Sequence, residues 1–306
     1  MPIRLYDRSS TDHIIIANFK IAPKVVEHLR GFFYVPMQLN KIYNENCLET
    51  LSRMPDGFID LTVTSPPYDN LREYKGFVFP FEEIAKELFR VTKKGGVVVW
   101  VVGDATINGS ETGTSFKQAL YFMECGFNLH DTMIYHKDSC PFPETTRYYP
   151  SFEYMFVFSK GKINTSNLLA DKKNKQHGDN VASSTQRNKD GYTVPVSAKK
   201  NNPNKTVKEY GIRQNVWLYS PGKGKSTTDH IAFNHPAIFP ERLAEDHILS
   251  WSNENDLVYD CFGGSGTTAK MAHKWKRYWI LSEISPEYCE IAQKRLDKYL
   301  NQTTLF

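Results

Sequence analysis

The chain has 306 residues, 40% hydrophobic and 24% charged, enough to bury one large α/β domain with an insertion or two modest domains. No apolar run approaches the roughly 18 residues of a membrane span, and the N-terminus lacks a basic-then-apolar leader, so membrane insertion and export are not expected. Five scattered cysteines (Cys47, Cys125, Cys140, Cys261, Cys289) with no CxxC pair suggest neither a zinc site nor a disulfide framework, and fit a reducing cytoplasm.

Residues 1–40 read as an N-terminal arm, with His13–Ile16 as a strand and Pro23–Leu29 as a short helix. From Lys41 the pattern sharpens. Lys41–Tyr43 reads as a short strand, and Leu48–Leu51 opens a helix that stops near Pro55-Asp56-Gly57. Ile59–Thr64 is β-rich and runs into Ser65-Pro66-Pro67-Tyr68, so that run lies just past a strand's carboxyl end. Open α/β sheets bind their ligands at that edge. Phe81–Val91 has apolar residues at helical spacing and ends at Lys93-Lys94-Gly95-Gly96. Val97–Val102 is continuously apolar, as in a buried parallel strand. Ser115–Glu124 suits a helix, and Leu129–His136 and Tyr154–Phe158 suit strands.

Between Asn164 and Gln214 large aliphatic residues become rare, so this stretch cannot form much core and reads as an inserted, partly flexible module. From Lys160 to Lys225 there are 14 Lys/Arg against 4 Asp/Glu, a balance of +10 in a chain whose net charge is +4; the rest sums to −6. Such asymmetry is the footprint of a segment facing a polyanion. The candidate phosphate-facing residues are Lys172, Lys173, Lys175, Arg187, Lys199, Lys200, Lys205 and Arg213, with Arg72 in the loop after Tyr68. A solvated loop is the competing reading of the same composition. Order resumes at Trp217. Pro240–Trp251 reads as a helix, Leu257–Cys261 as a strand and Thr267–His273 as a helix. Tyr278–Leu281 is a strand, and Pro286–Leu300 an amphipathic helix with proline in its first turn. The strand-helix alternation implies a Rossmann-like, doubly wound, mostly parallel sheet.

Two runs carry chemistry. Leu257–Asp260 leads into Phe262-Gly263-Gly264-Ser265-Gly266 and then a helix; glycines let backbone approach a ligand closely, and a helix N-terminus offers free N–H groups. A glycine loop alone is a weak signal. Glu283 strengthens it, standing at the end of the next strand, 17 residues after Gly266, where an acidic residue accepts hydrogen bonds from ribose hydroxyls. With no further phosphate site, a nucleoside cofactor is favoured over a dinucleotide. The other run, Ser65-Pro66-Pro67-Tyr68, suits an exocyclic amine, whose lone pair is delocalised into the base. The Ser65 Oγ and the Pro66 carbonyl are acceptors for its protons, the paired prolines hold them in place, and Tyr68 offers a flat face worth about 1–3 kcal/mol of stacking. An ordinary strand-ending turn competes for this run. Asp69, Asp104, Arg72 and Tyr74 are candidate pocket residues only.

Together, Thr64-Ser65-Pro66-Pro67-Tyr68 and Asp260–Thr268 resemble the DNA amino-methyltransferases, which methylate the exocyclic nitrogen of cytosine or adenine with S-adenosyl-L-methionine. The amine run precedes the glycine run, which resembles the circularly permuted group called beta, and the resemblance covers roughly Lys41 to Leu300. It implies double-stranded DNA as partner, a base flipped out of the helix, a cognate restriction endonuclease as a further partner, and action as monomer or homodimer. It divides the chain into a catalytic half at 41–160, a target recognition region at 161–216 and a cofactor half at 217–306.

Residue by residue, the resemblance assigns Asp260 to the methionine end, Glu283 to the ribose, and Gly263 and Gly266 to close backbone approach, with Phe262, Gly264 and Ser265 in the same loop and Thr64 also among the cofactor-binding residues. Thr267 and Thr268 either bind the methionine carboxylate or cap the helix. His235-Pro236, followed by Phe239-Pro240-Glu241, matches the segment that closes over the methionine moiety. Asn46-Cys47 stands where an adenine-binding Asp is often found, and Cys47 also reads as a small buried hydrophobe. Ser65 favours cytosine-N4 over adenine-N6, since adenine enzymes usually carry Asp or Asn there. Cytosine-C5 chemistry needs a Pro-Cys nucleophile, whereas Cys140 precedes Pro141. RNA or protein-glutamine methyltransferases share a similar loop but in the reverse order. A non-catalytic DNA-binding module on the same fold is the alternative of another class, and the intactness of both runs argues against it.

Overall fold

The computed structural model describes residues 37–67, 79–139, 146–179, 184–196, 206–238 and 240–300. β1 (Lys41–Tyr43) leads into α1 (Cys47–Arg53), whose first turn is closed by Asn46 accepting the Leu48 N–H at 2.9 Å. β2 (Ile59–Thr64) and α2 (Phe81–Val91) follow; α2 buries Ile84, Ala85, Leu88 and Val91, one helical face. Then come β3 (Thr92–Val102), α3 (Thr114–Glu124), β4 (Asn128–His136), β5 (Phe152–Ser159) and β6 (Val216–Leu218). The C-terminal part supplies α4 (Glu241–Trp251), β7 (Leu257–Asp260), α5 (Thr267–Lys274), β8 (Tyr278–Ser282) and α6 (Pro286–Leu300).

The eight strands form one sheet in the order β1-β8-β7-β2-β3-β5-β4-β6. All neighbours are parallel except where β5 lies between β3 and β4, so β5 is the single reversed strand of this sheet. This is the mostly parallel α/β architecture that the alternation predicts. Helices α1 to α3 pack in one group and α4 to α6 in another. The core runs along β2, β3, β5, β7 and β8 through Val63, Val99, Val157, Val258 and Leu281, with Trp217, Trp251 and Trp279 packed into it.

Most predicted elements match within a residue or two, but β3 begins at Thr92 rather than Val97. The Lys93–Gly96 run does not merely end a helix. The Gly95 N–H donates to the Lys160 carbonyl at 2.7 Å and the Lys160 N–H to the Gly96 carbonyl at 3.1 Å, which holds the run against the end of β5. The edge strand β6, paired through Val216 and Ile134, extends the sheet beyond β4. In the basic stretch, Lys172–Lys173 pairs with Tyr210–Gly211 and Ser184–Arg187 with Thr193–Val196, as two small antiparallel ribbons. No helix among the described residues is long and apolar enough to cross a membrane. The arm's predicted strand and helix lie outside the described residues.

Because β1, β8, β7 and β2 run parallel, their carboxyl ends share one sheet edge. Asn44–Asn46, Glu283, Cys261–Gly266 and Ser65–Pro67 all leave from it.

Candidate active site

The site begins where β2 meets β7. The Thr64 hydroxyl donates to Asp260 Oδ1 at 2.7 Å, and the Phe262 N–H donates to the same oxygen at 3.1 Å. Both side chains are buried. Burial pushes the Asp260 carboxyl above its usual range, while bonds from Thr64, Phe262 and Thr268 oppose that rise. Ser65, Pro66 and Pro67 continue directly from Thr64, with Pro66 buried and its two neighbours half-buried. The ring of Phe262 stands edge-on to Phe79 and Trp100, at centroid distances of 5.6 and 6.1 Å, giving the edge an aromatic wall.

The loop after β7 needs its glycines. A Cβ at Gly263 would lie 2.0 Å from Leu281 Cδ2. Gly264 has φ +48°, and a Cβ there would meet His235 Nε2 at 2.9 Å. His235 therefore lies directly on the loop, its Nδ1 accepting the Ala237 N–H at 3.1 Å and its ring edge-on to Tyr288 at 4.3 Å. Glu283 fixes the other side: its carboxylate accepts the Gly264 N–H and the Ser285 N–H, each at 2.8 Å. Burial raises this carboxyl, and the two backbone bonds oppose it. A carboxylate offers about four acceptor sites, so these two bonds leave room for hydroxyl donors. Asn44, which the sequence reading passes over, steadies the same corner by donating to the Glu283 and Ile284 carbonyls at 2.9 and 3.1 Å. Its only local signal is an amide just past a strand end.

A nucleoside bearing a methionine arm fits this donor set. The loop backbone carries no side chains at Gly263, Gly264 and Gly266, the buried Glu283 carboxylate keeps acceptor capacity that hydroxyls could use, and aromatic edges line the strand ends. Other expected residues have structural bonds of their own. Asn46 spends its side-chain oxygen on the α1 cap. Cys47 is buried, its thiol pushed up to about 12 by desolvation. Thr267 and Thr268 do not cap α5, whose N-cap is Gly266; Thr268 donates to the Val63 carbonyl at 3.2 Å, and Thr267 and Ser265 turn toward α6. Asp104 accepts the Ser115 N–H at 2.8 Å and so holds the start of α3.

Lys172, Lys173, Lys175 and Arg187 are exposed, in keeping with a solvent-facing basic surface. Arg213 requires a correction. Its guanidinium pairs with Asp171 and, at 2.7 Å, with Asp246, and lies 4.9 Å from the Trp217 ring, so it is an internal tie rather than a phosphate contact. Its partners are 42 and 33 residues away in sequence, which a local charge count does not register. Tyr68, Asp69, Arg72, Tyr74, Lys199, Lys200, Lys205 and Phe239 lie outside the described residues.

Comparison with known proteins gives the family and the fold. A DNA methylase family model for N6/N4 methyltransferases matches residues 59–294. The chain is 62% identical over 246 residues to the orphan methyltransferase M.BamHII of Bacillus amyloliquefaciens, covering 80% of this chain and 91% of that protein. It is 29% identical to the Type II methyltransferase M.BglII of Bacillus subtilis, covering 84% and 69% respectively. Among solved structures, the cytosine-N4-specific PvuII DNA methyltransferase superposes with a TM-score of 0.62 at 24% identity, over 86% of this chain and 87% of that one. M1.HpyAVI in complex with SAM superposes with a TM-score of 0.55 at 22% identity, over 84% and 98%. With a family model spanning most of its length and a relative of such identity, this chain belongs to the DNA methylase family of N6/N4 amino-methyltransferases.

Proposed function

We propose that the chain moves a methyl group from S-adenosyl-L-methionine to the exocyclic amine of a base flipped out of double-stranded DNA, with cytosine N4 as the target. The observation that carries this reading is the Thr64–Asp260 hydrogen bond, which sets the Ser65-Pro66-Pro67 acceptors beside the glycine loop. Bound at that loop, the cofactor supplies an electrophilic methyl group. Glu283 accepts from the ribose hydroxyls, Gly263 and Gly264 admit the ligand to the backbone, and His235 covers the loop. Ser65 Oγ and the Pro66 carbonyl accept the amine protons and turn the nitrogen lone pair out of conjugation. No base is needed beforehand, because the nitrogen becomes cationic as it takes the methyl group and then gives its proton to water. Stacking of the flipped base falls to Tyr68. The order of the two runs along the chain supports placement in the permuted beta group, with residues 161–216 as the target recognition region.

Relatives named as Type II methyltransferases support a restriction-modification setting, with a cognate endonuclease as partner. The relative named as an orphan methyltransferase supports action without one. Transfer of labelled methyl to DNA, followed by nucleoside digestion and mass spectrometry, tests the reading. N4-methylcytosine is expected; N6-methyladenine would overturn the choice of base, and absence of label in DNA would overturn the activity.

A further inference from the structure

Behind the glycine loop lies a closed ionic cluster that the reaction itself does not use. Arg295 on α6 is 1% exposed and surrounded by partners. Its Nη1 donates to the Ser265 carbonyl at 2.6 Å, to Ser265 Oγ at 2.9 Å and to Thr267 Oγ1 at 3.2 Å. Its Nε donates to Asp229 Oδ2 at 3.2 Å and its Nη2 to Glu241 Oε1 at 2.7 Å. Lys270 reaches the same two carboxylates at 2.7 and 2.6 Å, Tyr299 donates to Asp229 Oδ1 at 3.1 Å, and Thr227 donates to Glu241 at 2.6 Å. Two cations thus meet two carboxylates out of water.

Among the described side chains of this cluster, that of Arg295 is the one that bonds to the loop, whereas Lys270 meets it through its backbone N–H on the Gly266 carbonyl, a bond that substitution of its side chain leaves in place. Asp229, its other anchor, immediately precedes the 3₁₀ turn His230–Asn234, which delivers His235 onto Gly264. One turn before Arg295, Ala292 lies against Gly266, where an added Cβ would come within 3.0 Å of the Ala292 Cβ. The loop is therefore held from two directions: Glu283 takes the Gly264 N–H, and Arg295 takes the Ser265 carbonyl. A planar guanidinium spreads its five donors over three nitrogens, and Arg295 uses each nitrogen for a different partner, whereas the three donors of a lysine ammonium radiate from one atom.

We infer that Arg295 is a positioning residue for the cofactor site, setting the distance between the glycine loop and the His235 segment. The inference rests on the reading of that loop as the S-adenosyl-L-methionine site. A merely structural Arg295 would lose stability on substitution, as would any member of the cluster, so the comparison must separate stability from binding. Three variants do so: Arg295→Lys keeps a cation in the cluster but gives up the fork, while Lys270→Met and Tyr299→Phe disturb the same carboxylates without touching the loop. Tyr299→Phe leaves the charge balance intact, which guards against the failure of Lys270→Met to fold.

Urea unfolding, calorimetric titration with S-adenosyl-L-methionine and steady-state kinetics are measured on all three variants and on the wild type. Arg295→Lys is expected to raise both Kd and KM for the cofactor about tenfold, the loss of charge-assisted hydrogen bonds, with kcat at saturating cofactor retained. The comparison variants should keep wild-type Kd despite any loss of stability. Wild-type affinity in Arg295→Lys, or an affinity loss in all variants that tracks stability, would overturn the positioning role. No binding by the wild type would overturn the cofactor reading, and the inference with it.

Discussion

Two threonines on β2 offer an internal test of how the site is held together. Thr62 and Thr64 are both fully buried and two residues apart, yet their hydroxyls have opposite fates. Thr64 Oγ1 donates to Asp260, whereas Thr62 Oγ1 has no hydrogen-bond partner among the described residues. Valine nearly preserves the shape of threonine, so Thr64→Val removes the bond to the Asp260 carboxylate, worth about 1.5–3 kcal/mol, together with the weak bond that Thr64 Oγ1 accepts from Cys261 Sγ at 3.5 Å. Thr62→Val removes a buried hydroxyl that has no compensating bond, a burden of about 1–3 kcal/mol in proteins. Thr64→Val should therefore destabilise and Thr62→Val should stabilise, with a gap of at least about 2 kcal/mol between them. The Thr64 effect should also depend on pH. Burial raises the Asp260 pKa above its ordinary value of 3.8, so the folded chain holds that proton more tightly than the unfolded one. Stability then falls as pH rises through a window opening at about 3.8. Losing the Thr64 donor disfavours the carboxylate further, so the cost of Thr64→Val should be smallest in acid and largest above that window. Urea unfolding followed by tryptophan fluorescence, at about pH 4 and about pH 8, measures both effects. Equal stabilities of the two variants, or a Thr64→Val cost that does not change with pH, would refute the account of the β2–β7 junction.

Three further outcomes follow from the proposed roles. Ser65→Ala should lower kcat by at least about tenfold, one hydrogen bond gained in the transition state, while calorimetry shows unchanged cofactor affinity; an unaltered methylation rate would remove Ser65 from the amine site. Glu283→Ala should weaken cofactor binding by about 10- to 100-fold and leave DNA affinity without cofactor unchanged; wild-type cofactor affinity would make Glu283 only a holder of the Gly264 and Ser285 N–H groups. Neutralising Lys172, Lys173 and Lys175 together should flatten the salt dependence of DNA affinity by up to about three units of slope, with cofactor binding retained. An unchanged slope across a salt series would move DNA recognition away from the basic stretch.

What the sequence reveals and what it hides divide along a physical line. Ile59–Thr64 and Phe81–Val91 are legible to the residue because a strand of alternating apolar and polar residues and an amphipathic helix each write a local period. The glycine loop is legible too, since positive φ and close approach demand glycine at fixed places. Partners far apart in sequence are not. Nothing near Arg213 announces Asp246, and nothing near Arg295 announces Asp229, 66 residues away. Thr267 and Thr268 sit at the start of a helix, where threonine commonly caps, yet Gly266 takes that role and turns both side chains inward. The reversal of β5 is equally silent, because a buried apolar strand reads the same in either direction.

The adjacency of β2 and β7 has a bearing on ancestry as well as chemistry. Thr64 and Asp260 are 196 residues apart along the chain and one hydrogen bond apart in space. The two candidate ligand loops are thus neighbours by sheet order and not by position along the chain. Gene rearrangements that swap which half is translated first would leave the catalytic neighbourhood untouched, provided that each strand keeps its place in the sheet. Kinship among such enzymes is therefore better traced through strand adjacency than through the linear succession of their motifs.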